Sequence, residues 1–256
     1  MFPLALGAIS GLPVVDGDGM GRAFPHLEMT TFSVYGARAT PTIFSDELGN
    51  VVTMDLLNDR LAEEAIRPVV SALGAMAFSG IYPMNGRHVK DYAVHNTISQ
   101  TLEIGRAIRN GREESDDVFA GLLDCLNRPE EERFARILFD GKIVDVTHET
   151  KDGWHWGSAT LKPIDNSDDE LIIDIQNEYI VARLNGETVT IVPDLICVLD
   201  RETGEPMTAE MLRYGLRVKV MGYSAVPIMR RSECLAIWGP KCFGIDEDFK
   251  PVETLG

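Results

Sequence analysis

The chain has 256 residues, 45% hydrophobic and 25% charged, which suits a globular protein of one large domain or two medium ones. Its 40 acidic and 24 basic side chains leave a formal charge of −16, arguing against an electrostatic grip on nucleic acid or anionic lipid. Four scattered cysteines (Cys125, Cys197, Cys234, Cys242) form no C-x-x-C pair; they argue against a structural zinc site and fit a reducing cytoplasm, where the protein is expected to act.

The N-terminal MFPLALGAISGLPVV is apolar, but it lacks the basic region and cleavage signature of a signal peptide, and no apolar run is long enough for a membrane span. Leu12–Val15 reads as a short buried strand stopped by the glycines of Asp16-Gly17-Asp18-Gly19-Met20-Gly21. Thr30–Val34 and Thr40–Phe44 read as further strands, and Glu47–Asn50 as a turn before Val51. From Asp55 the period becomes helical: Leu57, Leu61, Ala65, Ile66, Val69 and Leu73 share a face, with Asp55 as cap and a kink at Pro68. A second helix is expected over Thr97–Arg109 with Gly111 as its stop, and a third over Val118–Leu126 ended by Pro129. A short one should follow through Phe134 and Ile137.

After Asp140-Gly141 the pattern is that of short strands: Lys142–Glu149, Trp154–Leu161, Leu171–Gln176, Glu178–Leu184, Thr188–Val192, Ile196–Leu199, Leu216–Met221 and Cys234–Trp238. One helical turn near Thr208–Tyr214 interrupts them, and Asn185-Gly186 is a strong hairpin signal. The expected fold is an α/β N-terminal domain, residues 1–138, joined to a β-rich, barrel- or sandwich-like C-terminal domain, residues 139–256.

The stretch Asp16–Arg22 has two readings. Its aspartates either bond nearby backbone in a tight turn, or stand at a strand end where glycines expose N–H groups to a ligand. It matches neither a dinucleotide fingerprint nor a phosphate loop, and it departs from the calcium-loop pattern. Arg22, His26 and Glu28 follow closely and favour chemistry. His88 and His95 lie before the helix opened by Thr97 and Ser99; they either meet another histidine at a divalent metal, or merely precede a capped helix. In the second half Asn177, Glu178 and Asp194 stand at strand ends, and Trp154-His155-Trp156 reads as a packed strand face.

Six segments in order, GLPVVDGDGMGRAFPHLEMTTF, HNTISQTLEIGRAI, IQNEYIVARLNGE, VPDLICVLDRETGEPM, YGLRVKVMGYSA and GPKCFGIDEDFKPVE, resemble the family named after S-methyl thiohydantoin desulfurase. The resemblance implies an α/β domain before a β-rich one, and hydrolytic removal of a methylthio group from a five-membered thiohydantoin, giving methanethiol and a hydantoin. It also implies association with hydantoinase and oxoprolinase proteins. Members usually begin with a further segment carrying a glycine-rich loop, and read Pro-Gly-Thr where this chain has His95-Asn96-Thr97.

The expected function is therefore hydrolysis of a hydantoin-like cyclic amide or thioimidate. Asp16 or Asp18 would be the base or metal ligand, and His26 and Glu28 would transfer protons. Glu178 and Asp194 would join them if the cleft lies between domains. Arg22, Gly19, Gly21, Thr97, Ser99 and Asn177 would bind substrate. The alternatives are a non-catalytic partner subunit of a hydantoinase- or oxoprolinase-type enzyme, or a metabolite-binding protein. The partner expected in either case is a small molecule, with no nucleic acid and no membrane, and the chain is expected to form a homo-oligomer.

Overall fold

The computed structural model of the chain describes residues 2–74, 76–114, 117–151, 154–165 and 167–255. The N-terminal half mixes helices with short strands. It runs α1 (Phe2–Ser10), β1 (Gly17–Asp18), α2 (Thr31–Val34), β2 (Thr42–Ser45), β3 (Val51–Met54), α3 (Asp59–Ala72) and β4 (Phe78–Gly80). Then come α4 (Gly86–Tyr92), β5 (Val94–His95), α5 (Thr97–Glu114) and α6 (Val118–Leu126). The remainder is dominated by β6 (Ala135–Lys151), β7 (Trp154–Pro163), β8 (Leu171–Gln176), β9 (Glu178–Leu184), β10 (Glu187–Ile191), β11 (Leu195–Asp200), β12 (Pro206–Met207) and β13 (Arg217–Tyr223), followed by α7 (Ser232–Trp238).

Strands β6 to β13 form one eight-stranded antiparallel sheet in the order β10-β9-β8-β7-β6-β13-β11-β12. The sheet curls so that β9 and β10 lie beside β11, but no ladder closes it into a barrel. Alternation explains the curl, because Leu171, Ile173 and Ile175 point inward from β8 to meet Ile143, Leu161, Val198 and Val220. The β9–β10 turn at Asn185-Gly186 has positive φ at both residues (52° and 86°), as the hairpin signal predicts.

Two further cores cover the outside of this sheet. Helices α5 and α6 bury Ile108, Phe119, Leu122 and Leu126 against Ala135, Leu199 and Met221. Phe24, Met29 and Val94 pack with Val181, Ile191, Met229 and Trp238. The segment that opens at Asp16 is thereby clamped onto the β-rich part of the chain.

Several expected elements are overturned. Leu12–Val15 is not a buried strand; Leu12 and Val15 are 68% and 60% exposed, and the strand begins only at Gly17. Thr30–Val34 is helix α2, because the Thr30 side chain accepts from Ser33 N–H and closes its first turn. Helix α3 is capped by Asn58 rather than Asp55, and α5 runs through Gly111 to Glu114. The segment after Pro129 is a 3₁₀ turn leading into β6, not a helix through Ile137. Cys234–Trp238 lies in helix α7 because Trp238 is fully buried there, its indole N–H donating to Met229 O at 3.0 Å. Short apolar runs carry no decisive period, so packing chose helix over strand in these places. No helix among the described residues is long and apolar enough to cross a membrane.

Candidate functional site

The stretch Asp16–Arg22 is both a turn and a cavity wall. Asp18 Oδ1 accepts the N–H groups of Met20 and Gly21 at 2.6 and 2.7 Å, an Asx turn that re-aims the chain after β1. Among the described residues the hydrogen bonds to the Asp18 carboxylate fall on Oδ1, and Asp18 lines a cavity of 750 Å³. Apolar Phe32, Ile81 and Met84 and the polar residues Asp18, Arg22 and Thr30 line that cavity together. Such a mixture suits a small planar molecule with a few polar atoms. Gly19 is required here because a Cβ would lie 2.6 Å from the Phe32 ring. Gly21 has φ +64°, and a Cβ there would meet Met229 Sδ at 2.7 Å. A second cavity of 380 Å³, between α1 and α5, shares Asp18 and is lined by Thr97.

Tyr82 closes one side of the larger cavity. Its hydroxyl lies 2.7 Å from Leu27 O and 3.1 Å from Asp59 Oδ2, and burial holds it well above the usual phenol range. Asp59 is itself buried and accepts from Ser33 Oγ and Ala39 N–H. Sequence reasoning singled out none of Phe32, Tyr82 and Asp59, because they converge only in the fold. The one legible signal was the cap at Thr30, which places Phe32 on a helix.

Asp16 turns away to the N-terminus of α5. It accepts from Ile98 N–H (2.8 Å), Ser99 N–H (3.2 Å) and Ser99 Oγ (2.5 Å), and the Ser99 hydroxyl leads the bonds that hold its carboxyl below the usual range. Just before this helix, Asn96 has φ +62°, the left-handed conformation that glycine and asparagine tolerate best.

The half-buried Arg22 reaches toward the sheet. Its Nη1 and Nη2 donate to the carbonyl oxygens of Asp194 and Tyr179, each at 2.8 Å, and burial pulls it down to about 10. It thereby lines both the Asp18 cavity and a cleft of 250 Å³ on the sheet side, which holds Glu178, Cys197 and Thr208. Burial pushes the Glu178 carboxyl up, against the pull of Arg22.

Asp194 is fully buried beneath this arrangement. It accepts from Ala225 N–H, Val252 N–H and the Arg230 guanidinium, so both its oxygens are committed to structure. Asn177, at φ +56°, exchanges hydrogen bonds with the backbone of His155 and fixes the β8–β9 turn. His26 packs against Trp154 at 4.4 Å between centroids, and Arg67 lies over the same indole. Glu28 buries one carboxylate oxygen without a partner. His88 sits beside Tyr92 and His95 Nε2 lies 3.1 Å from Lys90 O, whereas His148 and His155 meet each other, Nδ1 to Nε2 at 2.7 Å. Among the described residues no three His, Cys, Asp or Glu side chains stand close enough to hold a metal ion.

The fold thus brings Asp18, Gly19, Gly21 and Arg22 together at one cavity, with Thr97 at its neighbour and Glu178 beyond Arg22. It sends Asp16 and Ser99 to a helix cap, Asp194 to a buried ion pair, and His26 to a separate aromatic cluster.

The family model described as "S-Me-THD-like, N-terminal domain" matches residues 1–56, and "S-Me-THD-like, C-terminal domain" matches residues 57–252. The two matches meet between Leu56 and Leu57. No curated protein matches the chain. A crystal structure of a protein from Chromobacterium violaceum is similar over 96% of this chain and 68% of its own, with a TM-score of 0.77 at 21% identity. At that identity the likeness speaks for the fold.

Proposed function

Because the chain belongs to the S-Me-THD-like family, we propose that it is a hydrolase of hydantoin-like or thiohydantoin-like five-membered rings, and that the Asp18 cavity holds the ring. The observation that carries this reading is Asp18 itself. Two backbone N–H groups fix one oxygen, the other has no protein partner among the described residues, and Asp18 and the apolar ring of Phe32 line the same cavity. A ring lying on Phe32 would present its sp² carbon to a water beside Asp18. Asp18 takes a proton from that water as its oxygen bonds to the carbon; the carbon–sulfur bond then breaks, and the sulfur leaves as methanethiol after gaining a proton. Arg22 stands where it can hold a ring oxygen, and Thr30 offers a hydroxyl.

The test is methanethiol release from an S-methyl thiohydantoin by the purified protein. Asp18→Asn should lower turnover by about a hundredfold or more, the range of a positioned base. Asp16→Asn, which removes the charge from a helix cap, should lower stability more than turnover. Full activity in Asp18→Asn rejects the assignment.

One observation favours a second reading, that of a partner subunit for a hydantoinase- or oxoprolinase-type enzyme. Helix α1 buries none of its residues, and Phe2, Leu6, Ile9, Leu12 and Val15 expose large apolar side chains along one end of the molecule. No turnover by the chain alone, with stable co-purification of such an enzyme, supports this reading over the first.

A further inference from the structure

The cleft on the sheet side of Arg22 has features that the Asp18 reaction does not use. Glu178 is half-buried in it, and among the described residues the carboxylate has no hydrogen-bond donor and forms no ion pair. Arg22 lines the same cleft and is held rigidly by its two carbonyl partners. Each terminal guanidinium nitrogen carries two N–H groups and spends one on a carbonyl, so two N–H groups remain. Ile196, Val198 and Ala209 supply apolar wall to the same cleft.

A carboxylate ligand would meet Arg22 but be repelled by Glu178 and by nearby Glu210, and an ammonium ligand would meet Glu178 but be repelled by Arg22. A neutral molecule with an acceptor beside a donor satisfies both groups without desolvating a charge of its own. We propose that this cleft is a second small-molecule site, taking the amide edge of a carboxamide or lactam, its C=O on Arg22 and its N–H on Glu178. It is distinct from the Asp18 cavity but shares Arg22 with it, so occupancy of one reaches the wall of the other. The inference does not depend on the reaction assigned to Asp18.

Methionine methyl groups report on the two cavities separately, because Met207 lines the cleft whereas Met20 and Met84 line the Asp18 cavity. In protein labelled with [ε-¹³C]methionine, titration with 2-pyrrolidinone should shift the Met207 methyl saturably. Cyclopentanone, which keeps the acceptor but lacks N–H, and glycine, which is a zwitterion, should each bind at least about tenfold more weakly. Glu178→Leu should weaken 2-pyrrolidinone by a similar factor. An unmoved Met207, equal binding of cyclopentanone, tighter binding of glycine, or unchanged affinity in Glu178→Leu overturns the proposal. The ligand comparison on the unaltered protein decides the matter even if the variant does not fold.

Discussion

The hydroxyl of Ser99 donates to the carboxylate of Asp16 at 2.5 Å across 83 residues of sequence, and this bond ties the glycine-rich turn to the start of α5. A negative group at a helix N-terminus satisfies otherwise unpaired N–H groups and opposes the helix dipole. The same arrangement fixes where β1 begins.

The cap has a pH signature. Asp16 titrates below its usual value in the folded chain, first through Ser99, while the unfolded chain keeps an ordinary aspartate near 3.8. Its stabilisation is therefore fully present above that value and is lost as the pH falls through the lower folded pKa. Asp16→Asn should melt below the unaltered protein at neutral pH, and the gap should narrow as the pH falls below the ordinary aspartate value. A gap independent of pH would show that charge is not what the cap contributes.

Gly19 tests the cavity floor. In Gly19→Ala the new methyl must displace the Phe32 ring, because its position lies 2.6 Å from a ring carbon. The cost in stability should be about 1–3 kcal/mol, as for overpacking elsewhere. If the ring of the substrate lies on Phe32, kcat/KM for methanethiol release should also drop by at least about tenfold. A variant destabilised as expected but with unchanged kcat/KM moves the substrate off Phe32.

Asp194 tests the foundation beneath Arg22. Every group bonded to its carboxylate is a donor, so Asp194→Asn places an NH₂ against an N–H or a guanidinium. Breaking a buried pair of this kind should cost about 3–5 kcal/mol in urea unfolding. A loss below about 1 kcal/mol would mean that the side chain is replaceable, which its complete burial argues against.

Arg22→Lys keeps the charge and removes the fork. A single ammonium cannot reproduce the two 2.8 Å bonds to the carbonyls of Asp194 and Tyr179 in their present directions. The variant should lose about 1–2 kcal/mol, roughly the value of two hydrogen bonds, with a lower thermal midpoint. Equal stability would show that charge alone docks the 18–24 segment on the sheet.

Local patterns carried much of the architecture. The short-strand pattern at Leu171–Gln176, the Asn185-Gly186 turn and the helical period after Asp55 each predicted an element that the fold contains, although α3 covers only Asp59–Ala72 and leaves Leu57 outside and exposed. Short apolar runs failed: Leu12–Val15, Thr30–Val34 and Cys234–Trp238 fit strand and helix equally, and capping or burial settled them. The order of six segments carried the family, which the two matches spanning residues 1–56 and 57–252 show.

By itself, then, the sequence determined the family, the β-rich second half and the acidic, glycine-punctuated stretch where chemistry was to be sought. Only the tertiary structure separated four aspartates of similar appearance. Asp16 caps a helix, Asp18 stands at a cavity, Asp59 anchors Tyr82, and Asp194 holds the half-buried Arg230. The physical reason is that a carboxylate takes its role from the donors around it. Those of Asp18 come from two and three residues on, and those of Asp59 from up to 26 residues away, whereas the donors to Asp16 and Asp194 come from 31 to 83 residues away, where no local pattern records them.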